Sequence, residues 1–243
     1  MSRPRLRDTR HAPQFELYPL GQIPHDLIRN MCKLIIYDKH VRANDLTGNR
    51  FGAIFAEAIG GLDLERPIGI ADVVYGERHC WSTKTIHSAK PYELQSARII
   101  SGRCSPDYSY GISDARADIQ KTGAAVLNIY NERIGKAKAL YNPLRAIVLV
   151  RYYKMFQFVL FEQDIHQYAV NDYEWRYNDN KNIEAFDNRG NRHFTWQFSG
   201  SQLTVHYNIP ASAIKFEVKR PPILEVDEQL ETIGYKDSWI SFK

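Results

Sequence analysis

GIADVVYGERHCWSTKTI, residues 69–86, decides how this chain is read. GIADVVYG is a β-like run, Gly76-Glu77-Arg78 is a turn region, and HCWSTKTIH is a second β-like run. Asp72 closes the apolar start of the first run, and Ser82-Thr83-Lys84 sits in the middle of the second. A strand alternates its faces with period two. Ser82 and Lys84 therefore share a face with Cys80 and Ile86, while Trp81, Thr83 and Thr85 share the other. One tight hairpin spans the interval from Asp72 to Ser82, so Asp72, Ser82 and Lys84 can meet over one cleft. Two readings stand: a half-buried hairpin with solvated charges, or part of a metal-dependent site that cuts phosphodiesters.

The flanking sequence supplies the context. Ile23 to Tyr37 repeats Leu27, Ile28, Met31, Leu34 and Ile35 at helical spacing, with Pro24 suited to a first turn. Phe51, Ile54, Phe55, Ala58 and Ile59 form a second amphipathic stripe, which Gly60-Gly61 stops. Glu57 rides on the flank of that helix. Downstream, QSARIIS (95–101) predicts a third short strand, and GRCSPDYSYGIS a polar, Tyr-rich loop. Ser113 is a plausible N-cap for a long helix running to about Leu140, with Ile119, Val126, Ile129, Tyr130 and Ile134 on its apolar face. Asn142-Pro143 ends it. RAIVLVRYY then reads as a strand buried on both faces.

After about residue 156 the character changes. FQFVLFEQ, YEWRYND, IEAFD, HFTWQFS, SQLTVHYNI and AIKFEV are short strands separated by turn signals such as NDNKN and DNRGNRH. The expected fold class is α/β (α+β): a mixed-sheet core over 21–155, a basic N-terminal arm over 1–20, and a β-rich unit over 156–243. The β-rich part fits either a separate subdomain or an extension of the first sheet.

Hydrolysis of a phosphodiester with magnesium needs carboxylates to hold a hard cation and a lysine to orient water or stabilise charge. Asp72 followed by Ser82-Thr83-Lys84 resembles the PD-(D/E)xK nuclease motif. The order helix with Glu57, strand with Asp72, strand with Lys84, further strand, long helix and buried strand is similar to that superfamily's αβββαβ core. WSTKTI and ARIISGRCSPDYSYGISDARADIQKTG resemble small type II restriction endonucleases. The resemblance covers roughly residues 45–155.

Two departures accompany it. Ala71 stands where the motif has proline, and Ser82 stands where it has its second acid, so Glu57 is the expected substitute. The resemblance implies Asp72 and Glu57 as metal ligands, Lys84 as the catalytic cation, Ser82 in place of the missing acid, and Mg2+ as cofactor. It also implies a restriction system: a homodimer cutting double-stranded DNA, with a cognate DNA methyltransferase.

For DNA contact, Arg189, Arg192, His193, Gln197 and Gln202 in the β-rich part are candidates, because amides read adenine and Arg reads guanine. Arg103 and Tyr108 form a second group. A non-catalytic nucleic-acid-binding protein, using the arm and the aromatic strands, is the alternative.

The bulk composition permits both. The chain has 243 residues, 44% hydrophobic and 25% charged, with net charge +4, a normal globular balance that admits a polyanion partner. Arg3, Arg5, Arg7 and Arg10 make the start more basic still. Cys32, Cys80 and Cys104 are odd in number and widely spaced, which suggests neither a disulfide framework nor a zinc knuckle. With no apolar run approaching the ~20 residues of a membrane span and no secretory h-region, a cytoplasmic protein is expected. P-loop, GxSxG, GxGxxG and HExxH patterns are absent from the sequence.

Overall fold

The computed structural model describes residues 17–41, 45–64, 70–152, 154–223 and 225–242. The four arginines of the basic arm lie outside them, as does Gly69 at the head of the first β-like run.

Two amphipathic helices come first. α1 (His25–Val41) buries Leu27, Ile28, Met31 and Ile35 and runs past the expected end at Tyr37. α2 (Gly48–Ile59) starts at Thr47, whose hydroxyl accepts from the Arg50 N–H, and stops at Gly60, whose φ of 73° puts it in the left-handed region. β1 (Leu62–Asp63), β2 (Val73–Tyr75) and β3 (His79–His87) follow. The first β-like run is thus shorter than expected, while HCWSTKTIH is β3 from end to end.

β4 (Ser96–Arg103) leads into a segment read from sequence as a loop, which instead contains the short helix α3 (Pro106–Tyr110). Proline at its first position and Gly111 at φ 66° just past its end explain why it forms and why it is brief. The long helix α4 (Ile119–Leu140) is capped by Asp118, whose carboxylate accepts from the Lys121 N–H at 3.0 Å, and not by Ser113. Residues after Ser113 are held in a turn: Asp114 takes the Arg116 N–H on its side chain and the Ala117 N–H on its carbonyl. β5 (Leu144–Tyr152), β6 (Gln157–Asp164), β7 (Glu174–Tyr177), β8 (Ile183–Phe186), β9 (Arg192–Gln197), β10 (Gln202–Asn208), β11 (Ile214–Glu217) and α5 (Val226–Thr232) complete the order.

Among the described residues the strands form two sheets. The first, in order β1-β2-β3-β5-β6-β11, is mixed: β3 and β5 are parallel and the other pairs antiparallel. The second is antiparallel throughout, in order β4-β10-β9-β8-β7. QSARIIS therefore leaves the hairpin's sheet and becomes the edge of the second. Conversely, β6 and β11 extend the first sheet, so the boundary at 155/156 does not coincide with a break between sheets.

The layers follow from alternation. On β5, Ile147 and Leu149 face the α1/α2 side with Phe51, Phe55 and Trp81. Ala146, Val148 and Val150 face α4 and the second sheet, with Val126, Phe194 and Trp196. β5 is buried on both faces, which is why its sequence is a continuous apolar run. A buried ion cluster pins residues 18–21 to this frame: Glu162 accepts from Tyr18 Oη (2.8 Å), Trp81 Nε1 (2.7 Å) and Gly21 N (3.2 Å), and pairs with Arg145. No described helix is long and apolar enough to cross a membrane.

Candidate active site

Asp72 is held from three sides. Its N–H donates to the Trp81 carbonyl at 2.9 Å and its carbonyl accepts from Leu64 N at 2.8 Å, so its backbone is tied to β3 and to the residue after β1. Its carboxylate Oδ2 accepts from Thr83 N (2.8 Å) and Ser82 Oγ (3.1 Å), and Lys84 Nζ stands 3.5 Å away. The β2–β3 ladder has ended by this point, and the Asp72 side chain takes the Thr83 N–H in place of a backbone partner. Asp72 and Lys84 are half-buried, with side chains 21% and 28% exposed, within reach of a ligand and partly shielded from water.

Both line a cavity of about 630 Å3. One wall is the run Thr83 to Ile86 of β3; another is the first turn of α2 at Gly48, Asn49 and Gly52. Gly52 lets the helix approach closely there: a Cβ on it would stand 3.1 Å from Thr83 Oγ1 and 3.8 Å from Asp63 Oδ1. Asp63 is the second carboxylate of this cavity, brought in by the pairing of β1 with β2, in which Asp63 stands opposite Val73. Glu57 is elsewhere: it is exposed near the end of α2 and is not among the residues of the cavity wall. Five residues beyond Gly52, it is turned about 140° around the helix from the cavity face. Glu57, the expected substitute for the second acid, is therefore not among the residues around Asp72 and Lys84, whereas Asp63, on the α2 side of the sheet near Thr83 Oγ1, lines the same cavity.

Ser82 is only 1% exposed. Its hydroxyl orients Asp72 and is no replacement for a carboxylate. Behind Ser82 and Lys84 lie Tyr130 and Tyr207, whose hydroxyls are hydrogen-bonded and whose pKa values are raised chiefly by burial, that of Tyr207 to about 12. Burial, with the Asp72 charge adding to it, pushes the Cys80 thiol up to about 12; burial pushes Cys104 to about 11. Neither is a thiolate nucleophile at neutral pH.

The DNA-contact candidates are scattered. Arg103 and Tyr108 line a separate cavity of about 310 Å3 that shares no residue with the first. Arg192 is engaged by Glu184 at 2.9 Å and His193 by Asp187 at 3.0 Å, while Arg189 is exposed in the β8–β9 turn. Gln202 opens β10, paired with Arg103 and Gln197. Gln197 lines a third cavity, of about 270 Å3, together with Arg98. Arg98 also lines the Asp72 cavity. It was not singled out in the sequence, although the alternation in SARIISGR sets it with Ile100 against buried Ala97 and Ile99.

Among the described residues no group of three or more His, Cys, Asp and Glu side chains forms a metal cluster. The carboxylates that line the main cavity are Asp63 and Asp72. That set suits magnesium, which takes one or two carboxylates and keeps several waters. No protein-family model, curated protein or solved structure matches the chain.

Proposed function

We propose that this protein is a magnesium-dependent endonuclease of double-stranded DNA, of the restriction-endonuclease type. The observation that carries the reading is the meeting of Asp72, just before β2, with Lys84 of β3, 3.5 Å apart, at a cavity that Asp63 also lines. The succession α2, β2, β3, α4 and β5, with β5 parallel beside β3, supports it; the further strand expected after β3, QSARIIS, lies in the second sheet, and β1 takes the place beside β2.

In this reading Asp63, Asp72 and the main-chain oxygen of Thr83 would hold the ion. When bound, it neutralises the scissile phosphate and lowers the pKa of the attacking water. Thr83 qualifies because a strand residue directs its N–H and C=O to the same neighbour, and its N–H already points to Asp72. Lys84 donates to the attacking water and to the phosphate oxygens as negative charge builds on them. The new bond joins the water oxygen to phosphorus; the bond that breaks joins phosphorus to the leaving sugar oxygen. Ser82 acts through Asp72 as a positioning residue. Arg98, which lines the same cavity, supplies positive charge for the DNA backbone. A homodimer and a companion methyltransferase belong to the same proposal and rest on the resemblance; a cytoplasmic setting belongs to it too and rests on the composition.

The experiment is cleavage of unmethylated plasmid by the purified protein. Discrete fragments in magnesium and none in EDTA support the proposal; an intact plasmid across varied substrates, or cutting in EDTA, overturns it. Metal-independent DNA binding without cutting would favour the non-catalytic reading, for which the polar face of the second sheet is the supporting feature.

A further inference from the structure

The second sheet has two unlike faces. Ile99, Phe194, Trp196, Leu203 and Val205 point into the core against α4. On the opposite face, Arg98 of β4, Thr204 of β10, Gln197 of β9 and the turn between β7 and β8 enclose the cavity of about 270 Å3. Its polar wall is made of one guanidinium, hydroxyls and amides, and carries no carboxylate. Arg98 and Ile100 belong to this cavity and to that of Asp72 and Lys84, so the two join along β4.

The turn is held firmly from within. Asn178 Oδ1 accepts from Asn180 N at 3.1 Å and Asn182 N at 3.0 Å, and Asn178 N donates to the Asn182 carbonyl at 2.9 Å. Asn178 Nδ2 donates to Glu184, whose buried carboxylate also holds Arg192 and Thr195. The Asn178 amide is thus spent on the turn, while the side chains of Asn180 and Asn182 remain on the cavity wall. Glu184 lies on this same face, its carboxylate taken up by Asn178, Arg192 and Thr195, and Asp179 is exposed in the turn.

We infer that this cavity is the base-reading site, and that the β7–β8 ribbon enters the major groove with Asn180 and Gln197 each reading the edge of its own adenine. The inference rests on the proposed nuclease function for its substrate. A two-stranded ribbon fits the major groove, and an amide offers one donor and one acceptor at the spacing of adenine N6 and N7. A pre-ordered turn lowers the entropy cost of binding. Arg98, shared by both cavities, takes the phosphate between the base read and the bond cut.

The test is selection from a pool of random-sequence duplexes in calcium, with affinities then measured on a labelled selected duplex. The wild-type protein enriches a motif containing two A·T pairs. Asn180→Ala and Gln197→Ala, both at the surface and compatible with folding, each relax one motif position and lose about 5- to 150-fold in preference for the selected duplex, the range for one bidentate pair. Both variants enriching the wild-type motif with wild-type affinity would overturn the inference, as would a wild-type protein that enriches no motif. Cleavage in magnesium is scored separately. A wild-type protein that cuts without sequence preference removes the reading site and leaves the nuclease; one that selects a motif dependent on Asn180 and Gln197 but never cuts removes the nuclease and leaves the reading site.

Discussion

Ser82→Asp restores the acid that the motif lacks, yet the geometry predicts that it harms the protein. Ser82 Oγ lies 3.1 Å from Asp72 Oδ2, and the residue is 1% exposed. A carboxylate there brings two negative charges to about 4 Å, a repulsion of about 4 kcal/mol at an effective dielectric constant of about 20. Lys84 offsets part of it. A net loss of about 2–4 kcal/mol remains, which for a chain of this length lowers Tm by roughly 5–15 °C.

The assay is urea unfolding of variant and wild type at several pH values without divalent metal. The new carboxyl, beside Asp72 and out of water, has its folded pKa raised above its unfolded value of about 3.9. Between those values the folded state binds a proton that the unfolded state does not, so stability falls as pH rises through that window. The penalty is absent below about pH 3.9 and complete above the folded pKa; the variant therefore converges on wild type as pH falls. A Ser82→Asp protein as stable as wild type at pH 7.5, or one that cuts faster in magnesium, would refute the reasoning and mark position 82 as a ligand position.

Three further outcomes follow from the same geometry. Asp63→Asn should lower cleavage at least 100-fold (about 2.7 kcal/mol of transition-state stabilisation), whereas Glu57→Gln should cut within a few-fold of wild type; the opposite ranking in a single-turnover assay restores Glu57 as the second acid. Glu162→Ala should cost about 3–5 kcal/mol in urea unfolding, because it leaves the buried Arg145 guanidinium unpaired and frees Tyr18, Trp81 Nε1 and Gly21 N of their acceptor; a loss below about 1 kcal/mol would contradict that placement. His206 is held down to about 4 from an ordinary 6.5, first by burial and then by Arg192 and Arg98. The unfolded chain takes up that proton near pH 6.5 while the folded chain waits until about 4, so stability is lost as pH falls through this window. His206→Gln should flatten that part of the stability profile, and an unchanged profile would contradict the assignment.

Much of the architecture was legible because it is periodic. The alternation of HCWSTKTIH gave the two faces of β3, and the run RAIVLVRYY gave the strand buried on both sides that is β5. Asp63 was illegible for the opposite reason. A two-residue strand has no period, and it gains a place only by pairing with β2 across the intervening segment. Glu57 misled because its helix was correctly read but the face of that helix toward β3 was not: two glycines, Gly48 and Gly52, make the close approach. Arg98 carried a visible alternation, but its register against His206 of β10 joins residues far apart in the chain. Ser113 lost the cap of α4 to Asp118 because Asp114 turns the chain once before the helix begins.

The most direct measurement is the single-turnover rate of plasmid cleavage in magnesium for wild type and Lys84→Ala, with duplex binding followed in calcium. The account predicts that wild type cuts at discrete sites and that Lys84→Ala, while still binding duplex, is slowed by at least 1000-fold, about 4 kcal/mol of lost transition-state stabilisation. Lys84→Ala cutting as fast as wild type, or a wild-type protein that binds duplex and never cuts, would contradict it.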